Sequence, residues 1–191
     1  MTPLEITVIF GTTREGRQTP RISDWIRRKI DRRDDMTSRV VDLRDHPLPF
    51  YDRATLPVSG DYGPEGTNFA QVIAPADAFI IITPEYNHGV PAVLKNALDH
   101  IYAEWNRKPL AVIGYGGLYG GIRAVEALRQ YAVELQMVSI RNCVTFPTVA
   151  RTFPVDATEP TDPISDQVAE QILNDISWWA TLLRTARTAP T

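Results

Sequence analysis

The chain has 191 residues, 43% hydrophobic and 23% charged, with a formal net charge of -3. That length and apolar content suit one buried core, and the slightly acidic balance excludes a broad basic footprint for nucleic acid or an anionic membrane. A lone cysteine, Cys143, excludes an internal disulfide, and no apolar run approaches the roughly 18 residues of a membrane span.

The start "MTPLEIT" leads into a strand-like run rather than a basic region followed by a signal-type apolar stretch, so the cytoplasm is the expected location. Leu4 to Phe10 is short and β-branched and reads as a strand. Ile22, Trp25, Ile26 and Ile30 recur at helical spacing, with Thr19 able to cap that helix and Pro20 suited to its first turn. Arg39 to Leu43 supplies a second strand. The segment "RDHPLPFYDRATLPVSGDYGPEG" is then broken repeatedly by proline and glycine and reads as a surface flap or interface element.

Thr67 to Pro75 reads as a modest helix and Ala78 to Thr83 as a concentrated apolar strand. A helix from Pro91, extending to Trp105, carries Val93, Leu94, Ala97, Leu98 and Ile101 on one face, with Tyr102 and Trp105 beyond it. "PLAVIGY" is the next strand, Ile122 to Met137 a further helix, and "VSIRNCVTF" a final strand-like run. Asp162 and Pro163 open a C-terminal helix over about 163–185 with Ile164, Val168, Ile172 and Ile176 on one face, extended by Trp178, Trp179, Leu182 and Leu183; the tail "RTARTAPT" reads as frayed.

Apolar strands alternating with helices predict a doubly wound α/β domain, its parallel sheet covered on both faces by right-handed crossovers. Ligand loops then lie beyond the carboxyl ends of the strands, after Phe10, Thr83 and Tyr115. The first, "GTTREGRQTP", offers the hydroxyls of Thr12, Thr13 and Thr19, the cations Arg14 and Arg17, and a following helix start. These groups suit an anion, and an ordinary surface loop is the alternative. Neither GxGxxG nor GK[ST] is present, so the usual dinucleotide and triphosphate signatures are absent.

The loop "GYGGLYGGIR" has glycines that permit close backbone approach, and its Tyr115 and Tyr119 could cover a planar ring; a tight connection with one aromatic facing the core is the alternative. Between them, Pro84 to Gly89 supplies peptide donors and mixed polar side chains. Glu85 would sit badly beside an electron-rich ring, so a structural role with a helix end, Arg or Lys competes with acid–base chemistry. Tyr86 can shape a pocket, Asn87 can orient a turn, and His88 has a pKa range that permits proton transfer. The scattered histidines and the cysteine offer no metal-ligand spacing, so no metal is expected.

Taken together, G-T-T-R at Gly11 to Arg14, P-E-Y-N at Pro84 to Asn87, P-A-V-L-K-N-A-L-D at Pro91 to Asp99 and the Gly116 to Gly121 loop closely resemble the NAD(P)H-dependent FMN reductase family, from about Leu4 through Val149. Its members are flavodoxin-like proteins often called quinone, azo or chromate reductases. The resemblance implies a three-layer sandwich with a five-stranded parallel sheet in the order 2-1-3-4-5, one domain over residues 1–191, and noncovalent FMN at the carboxyl edge.

Carried over by position, it places Thr12, Arg14, Arg17 and Thr19 around the FMN phosphate, and Pro84, Glu85, Tyr86 and Asn87 along the flavin, with His88 beside it. Gly116, Gly117, Tyr119 and Gly120 approach the ring elsewhere. Thr12 stands where serine is common, and "GRQTP" lacks the S-x-N continuation of some relatives. The implied reaction is hydride transfer from NADPH or NADH to FMN and then electrons to a small-molecule acceptor, with no dedicated protein nucleophile. A homodimer or homotetramer is the implied assembly. The competing readings are a flavodoxin-like carrier or redox sensor, and a ligand-binding protein that kept the fold and lost FMN.

Overall fold

The computed structural model describes residues 2–189. Its elements run β1 (Leu4–Phe10), α1 (Thr19–Ile30), β2 (Met36–Asp42), a 3-10 turn (Pro57–Ser59), α2 (Gly63–Ile73), β3 (Ala78–Pro84), α3 (Ala92–His100), β4 (Pro109–Tyr115), α4 (Ile122–Glu134), β5 (Val138–Ser139), β6 (Val144–Phe146), α5 (Val149–Thr152) and α6 (Pro163–Thr188). The strand path is β2-β1-β3-β4-β5, the order the resemblance implies, and every pairing is parallel. The expected fifth strand is divided: β5 pairs with the start of β4 and β6 with its end, so the sheet has six strands.

Alternation along the strands assigns side chains to two apolar layers. Ile6, Val8, Ile80, Ile82 and Ile113 pack with Ile22, Trp25 and Ile26 of α1 and Ile172 and Ile176 of α6. Ile9, Phe79, Ile81, Leu110 and Val112 pack with Phe69 of α2, Leu94 and Leu98 of α3, Leu128 of α4 and Trp105. Each residue of β3 and β4 is buried, as expected of strands covered on both faces.

Tertiary contacts move several boundaries. β2 begins at Met36, earlier than Arg39, because it pairs with β1 along its whole length, from Leu4↔Met36 to Phe10↔Asp42. α2 begins at Gly63 instead of Thr67, with a proline in its first turn. α3 ends at His100, well before Trp105. Ile101 turns extended, and the Tyr62 hydroxyl accepts from the amides of Tyr102 (3.3 Å) and Ala103 (3.0 Å). Trp105 is consequently a core residue, 1% exposed and edge-on to Phe79.

The proline-rich segment is strapped to α3. The Asn96 amide nitrogen donates to the Pro49 carbonyl at 2.8 Å, its Oδ1 accepts from the Tyr51 amide at 2.9 Å, and His100 Nε2 donates to Pro49 O at 2.8 Å.

The tail is not frayed through Thr188. α6 is docked by Asp77, whose Oδ2 accepts from the Glu5 amide (3.1 Å) and Arg184 (3.2 Å), and whose Oδ1 accepts from Arg187 (3.0 Å). Trp178, Trp179 and Leu182 face outward instead of extending the buried face, which consists of Ala169, Ile172, Leu173, Ile176 and Ala180. Pro190 and Thr191 lie outside the described residues. Removing the Asp77 carboxylate takes one acceptor from the Glu5 amide and the only carboxylate among the described residues from two partly buried guanidinium groups, which keep the carbonyls of Thr2, Pro3 and Arg107. Asp77→Ala is expected to cost about 1–3 kcal/mol and lower Tm by roughly 3–10 °C; an unchanged thermal unfolding curve would show that α6 does not depend on this anchor.

Candidate functional site

Three strands stop together. Phe10 lies opposite Ile82, Thr83 opposite Gly114, and Pro84 opposite Tyr115, so the following loops open at one edge of the sheet. The Gly11 amide continues the ladder to the Ile82 carbonyl at 2.9 Å, and a Cβ at this position would meet Ile82 O at 3.0 Å and Leu94 Cδ2 at 2.9 Å. Glycine is what lets the first loop leave the sheet here.

That loop uses its polar groups in two different ways. The Thr12 hydroxyl is buried, shares a hydrogen bond with the Tyr86 hydroxyl at 2.9 Å and accepts from the Arg14 amide at 3.2 Å. Thr19 is the first helical residue and does not cap α1; its hydroxyl pairs with that of Tyr115 at 2.9 Å, both residues being buried. Burial pushes the Tyr115 phenol up despite the hydrogen bond from Thr19, so it is neutral at neutral pH. Arg17 forks onto both carboxylate oxygens of Asp42 and donates to the Thr12 carbonyl at 2.7 Å. Arg14, by contrast, is exposed, and its guanidinium has no hydrogen bond or ion pair among the described residues.

After β3 the chain makes a two-residue hairpin. The amides and carbonyls of Tyr86 and Gly89 exchange hydrogen bonds at 3.0 and 3.1 Å, with Asn87 at φ 48 and His88 at φ 73. Positive φ at both central residues is the type I′ arrangement. Asn suits it, while His occupies a position where glycine is preferred. Both side chains are at the exposed tip.

Glu85 points to α4: its Oε2 accepts from the Arg123 amide at 3.0 Å and its Oε1 from Arg123 Nη1 at 2.6 Å. Burial raises the Glu85 pKa, but the two hydrogen bonds and the charge of Arg123 outweigh it, leaving the group below its ordinary value. Of the readings open in the sequence, the structure shows the bond to an arginine and a helix start. Arg123 also stacks over the Tyr119 ring, 3.7 Å from its centroid.

The glycines of the third loop divide by role. A Cβ on Gly120 would lie 2.8 Å from Pro147 N, and one on Gly121 2.6 Å from Tyr115 N; both have positive φ and shape the turn itself. Gly117 faces open space, and Gly116 meets only Gly121 N at 3.6 Å, so this stretch can admit a close ligand. The Gly117 and Gly116 carbonyls accept from the amides of Thr148 (2.7 Å) and Val149 (3.1 Å), which ties the loop to the segment after β6.

Between the loops is a cleft of about 270 Å³ lined by Arg14, Gly16, Arg17, Gln18, Pro84, Glu85, Tyr86, Tyr115, Gly116, Gly117 and Val149. The structure thus brings together Arg14, Arg17, Pro84, Glu85, Tyr86, Gly116 and Gly117 from the sequence-derived set. Thr12 and Thr19 are buried beneath the lining, Gly120 is packed against Pro147, and Asn87, His88 and Tyr119 lie outside the lining.

Gln18 and Val149 join the site without a motif to mark them, and Asp42, Arg44 and Arg123 support it from outside. A phosphate group fits the donors present: the free Arg14 guanidinium, and the amides of Glu15, Gly16 and Arg17, which donate to no protein acceptor among the described residues. Another cavity, of about 210 Å³ between Asp45, His46, Glu65 and Phe69, presents carboxylates and lacks such a cation.

An open parallel sheet with a donor-rich loop and an aromatic, glycine-lined cleft at its carboxyl edge defines a flavodoxin-like nucleotide-binding protein. The profile of the family described as NADPH-dependent FMN reductase matches residues 4–151. An NAD(P)H-dependent FMN reductase of Schizosaccharomyces pombe is 43% identical over 136 residues, covering 70% of this chain and 68% of the relative. One from Saccharomyces cerevisiae is 32% identical over 146 residues, covering 70% and 76%. Among solved structures, the flavoenzyme NAD(P)H:(acceptor) oxidoreductase FerB from Paracoccus denitrificans superposes with a TM-score of 0.69 at 20% identity, covering 93% of this chain and 97% of that one.

The chain belongs to the NADPH-dependent FMN reductase family. It is an oxidoreductase that works with FMN and takes NAD(P)H as donor, which the named relatives favour over the carrier and flavin-free readings.

Two expectations follow from the middle loop. Because the Glu85 pKa is depressed, its stabilising bond to Arg123 is complete above the ordinary glutamate range and is lost as pH falls through the folded value. The stability difference between the parent and Glu85→Gln, read by urea unfolding across pH, should therefore shrink on acidification; a constant difference would contradict the assignment. His88→Gly relieves a left-handed residue and should leave stability unchanged or raise it by up to about 1 kcal/mol while FMN titrates normally. A large loss of bound flavin would instead place His88 against the cofactor.

Proposed function

We propose that this protein transfers electrons from NAD(P)H through FMN to a quinone, a free flavin or a similar small acceptor. The observation that carries the reading is the cleft itself: Arg14, a cation with no partner among the described residues, at one end, and the open Gly116–Gly117 backbone at the other. When bound, FMN supplies hydride acceptance from the nicotinamide and electron delivery to the acceptor. The chain's own residues bind and orient. Arg14 and the loop amides hold the phosphate, with Arg17 at the same wall, and Pro84 and Tyr86 line the ring side. Tyr86 is fixed by Thr12, and Tyr115 by Thr19. Arg123 turns the Glu85 carboxylate toward α4, so its charge is neutralised where it would oppose negative charge on a reduced ring. Asn87 and His88 sit at the hairpin tip, where an acceptor would enter.

Quinones are proposed as acceptors because an NADPH:quinone oxidoreductase of Arabidopsis thaliana is 43% identical over 94 residues, covering 48% of this chain and 47% of the relative. The cytoplasm is the proposed location; among the described residues no helix is long and apolar enough to cross a membrane. The chain is proposed to act as one domain and to assemble as a homodimer or homotetramer through the strapped segment. There Phe50, Leu56 and Val58 are strongly exposed beside an apolar cleft lined by Tyr51, Leu98, Ile101 and Tyr102.

Anaerobic stopped-flow reduction tests the activity: NADPH or NADH should bleach the bound flavin rapidly, and a quinone should restore it. Failure of both nucleotides to bleach FMN would overturn the reading. Arg14→Ala should weaken FMN binding about 10- to 100-fold through the lost charge-assisted hydrogen bonds, while the reduction rate of flavin-saturated protein stays within about twofold. Unaltered FMN affinity would remove Arg14 from the phosphate site.

A further inference from the structure

The end of β2 grips the first loop from behind. Arg17 Nη1 donates to the Thr12 carbonyl at 2.7 Å, Arg44 Nε to the Thr13 carbonyl at 2.9 Å, and Arg44 Nη2 to the Arg14 carbonyl at 2.7 Å. Two guanidinium groups thus hold three consecutive carbonyls. One carboxylate touches both residues: Asp42 pairs with the Arg17 guanidinium through both oxygens, and its Oδ1 accepts from the Arg44 backbone amide at 2.9 Å, fixing the backbone from which that side chain reaches the loop. The Arg17 and Asp42 side chains are only 7% and 16% exposed, so this hub is shielded from solvent competition.

We infer that Asp42 and Arg44 are positioning residues for the phosphate of FMN, acting through the backbone of Thr12 to Glu15 without touching the ligand. The inference rests on the reading that this loop holds that phosphate. The loop contains no cis peptide bond, and in a trans peptide the carbonyl of one residue and the amide of the next point in opposite directions. Fixing the carbonyls of Thr12, Thr13 and Arg14 therefore aims the amides of Thr13, Arg14 and Glu15 the other way. The Arg14 amide takes the Thr12 hydroxyl, itself fixed by Tyr86. The clamp also fixes the backbone of Arg14, the loop cation that has no partner among the described residues. Donors set before the ligand arrives bind it without the entropy cost of ordering the loop.

Charge alone predicts the opposite of what the clamp predicts. Asp42 is an anion near an anionic ligand, so neutralising it would tighten FMN by Coulomb's law and would also release Arg17 toward the phosphate. If the clamp governs, Asp42→Asn weakens FMN, because an amide nitrogen replaces one of the two oxygens that accept from Arg17 and the charge holding that guanidinium is lost. Arg44→Lys separates the two effects again: it retains the positive charge and loses the fork that holds two carbonyls at once.

The test is titration of FMN and of riboflavin, which lacks the phosphate, into flavin-free full-length protein, followed by flavin fluorescence. The parent should prefer FMN. Asp42→Asn, Arg44→Ala and Arg44→Lys should each raise the FMN Kd about tenfold and leave the riboflavin Kd within about twofold of the parent, so that the preference for FMN collapses. Arg44 is exposed and grips only loop carbonyls, so its two variants decide the matter should Asp42→Asn not fold. The inference is overturned if Arg44→Lys keeps the parent's FMN affinity, if Asp42→Asn tightens FMN, or if riboflavin weakens in step with FMN. Failure of the underlying reading looks different: the parent itself would then bind riboflavin as tightly as FMN.

Discussion

The common level at which β1, β3 and β4 stop is the constraint from which the rest of the site follows. While the strands run together, each peptide group has a neighbour in the sheet; beyond Gly11, Glu85 and Gly116, whose amides make the last of these bonds, that supply ends. Backbone groups past the edge must find partners in side chains, in other loops or in a ligand. The protein uses the first two to brace each loop against another. Thr12 meets Tyr86, Thr19 meets Tyr115, Glu85 meets the start of α4, and the glycine loop is tied to the residues after β6. The donors left over, around Glu15 to Arg17, are concentrated at one end of one cleft.

Charge is distributed by the same logic. Glu15, exposed in the first loop, has no guanidinium partner among the described residues, but two carboxylates at the cleft do: Asp42 has Arg17, and Glu85 has Arg123. Hydrogen bonding and these cations hold both acids below their ordinary pKa values against the opposing effect of burial, so they are ionised and neutralised locally at neutral pH. The first loop has two arginines of the same type, three positions apart, with different tasks. Arg17 is spent internally, and Arg14 is left to present its charge to the cleft. A phosphate is served by such a free cation, and a ring that gains electrons is served by the pairing of Glu85 with Arg123.

Much of the architecture was legible because β3 and β4 are nearly continuous apolar runs, β1 is short and β-branched, and prolines mark the starts of α1 and α6. What escaped was set by residues distant in sequence. Tyr62 explains where α3 stops, Asp77 why α6 continues through Thr188, and the length of β4 why two short strands share one edge. The site shows the same division. Residue types that suit an anion and a ring were visible in the loops, and Glu85 was readable as a structural group. The commitments of Thr12, Thr19 and Arg17 were not visible, since their partners lie 74, 96 and 25 positions away. Sequence patterns report which groups a loop contains; only the folded chain shows which of them remain free.

This distinction separates the two ends of the cleft. At the phosphate end Thr12 and Thr19 are fully buried, Arg17 is held at both Nη atoms, and the carbonyls are gripped, so little can adjust to a differently shaped anion. At the ring end Gly117 faces open space, Leu118 and Tyr119 are 75% and 56% exposed, and His88 stands at the tip of a strained two-residue turn. On the proposed reading, rigidity where the phosphate sits gives selective cofactor retention, and openness where the ring sits imposes few steric demands on the acceptor. Acceptor selection then depends on access and redox potential more than on a matched set of hydrogen bonds, because an exposed rim can discriminate only by contacts that water also supplies.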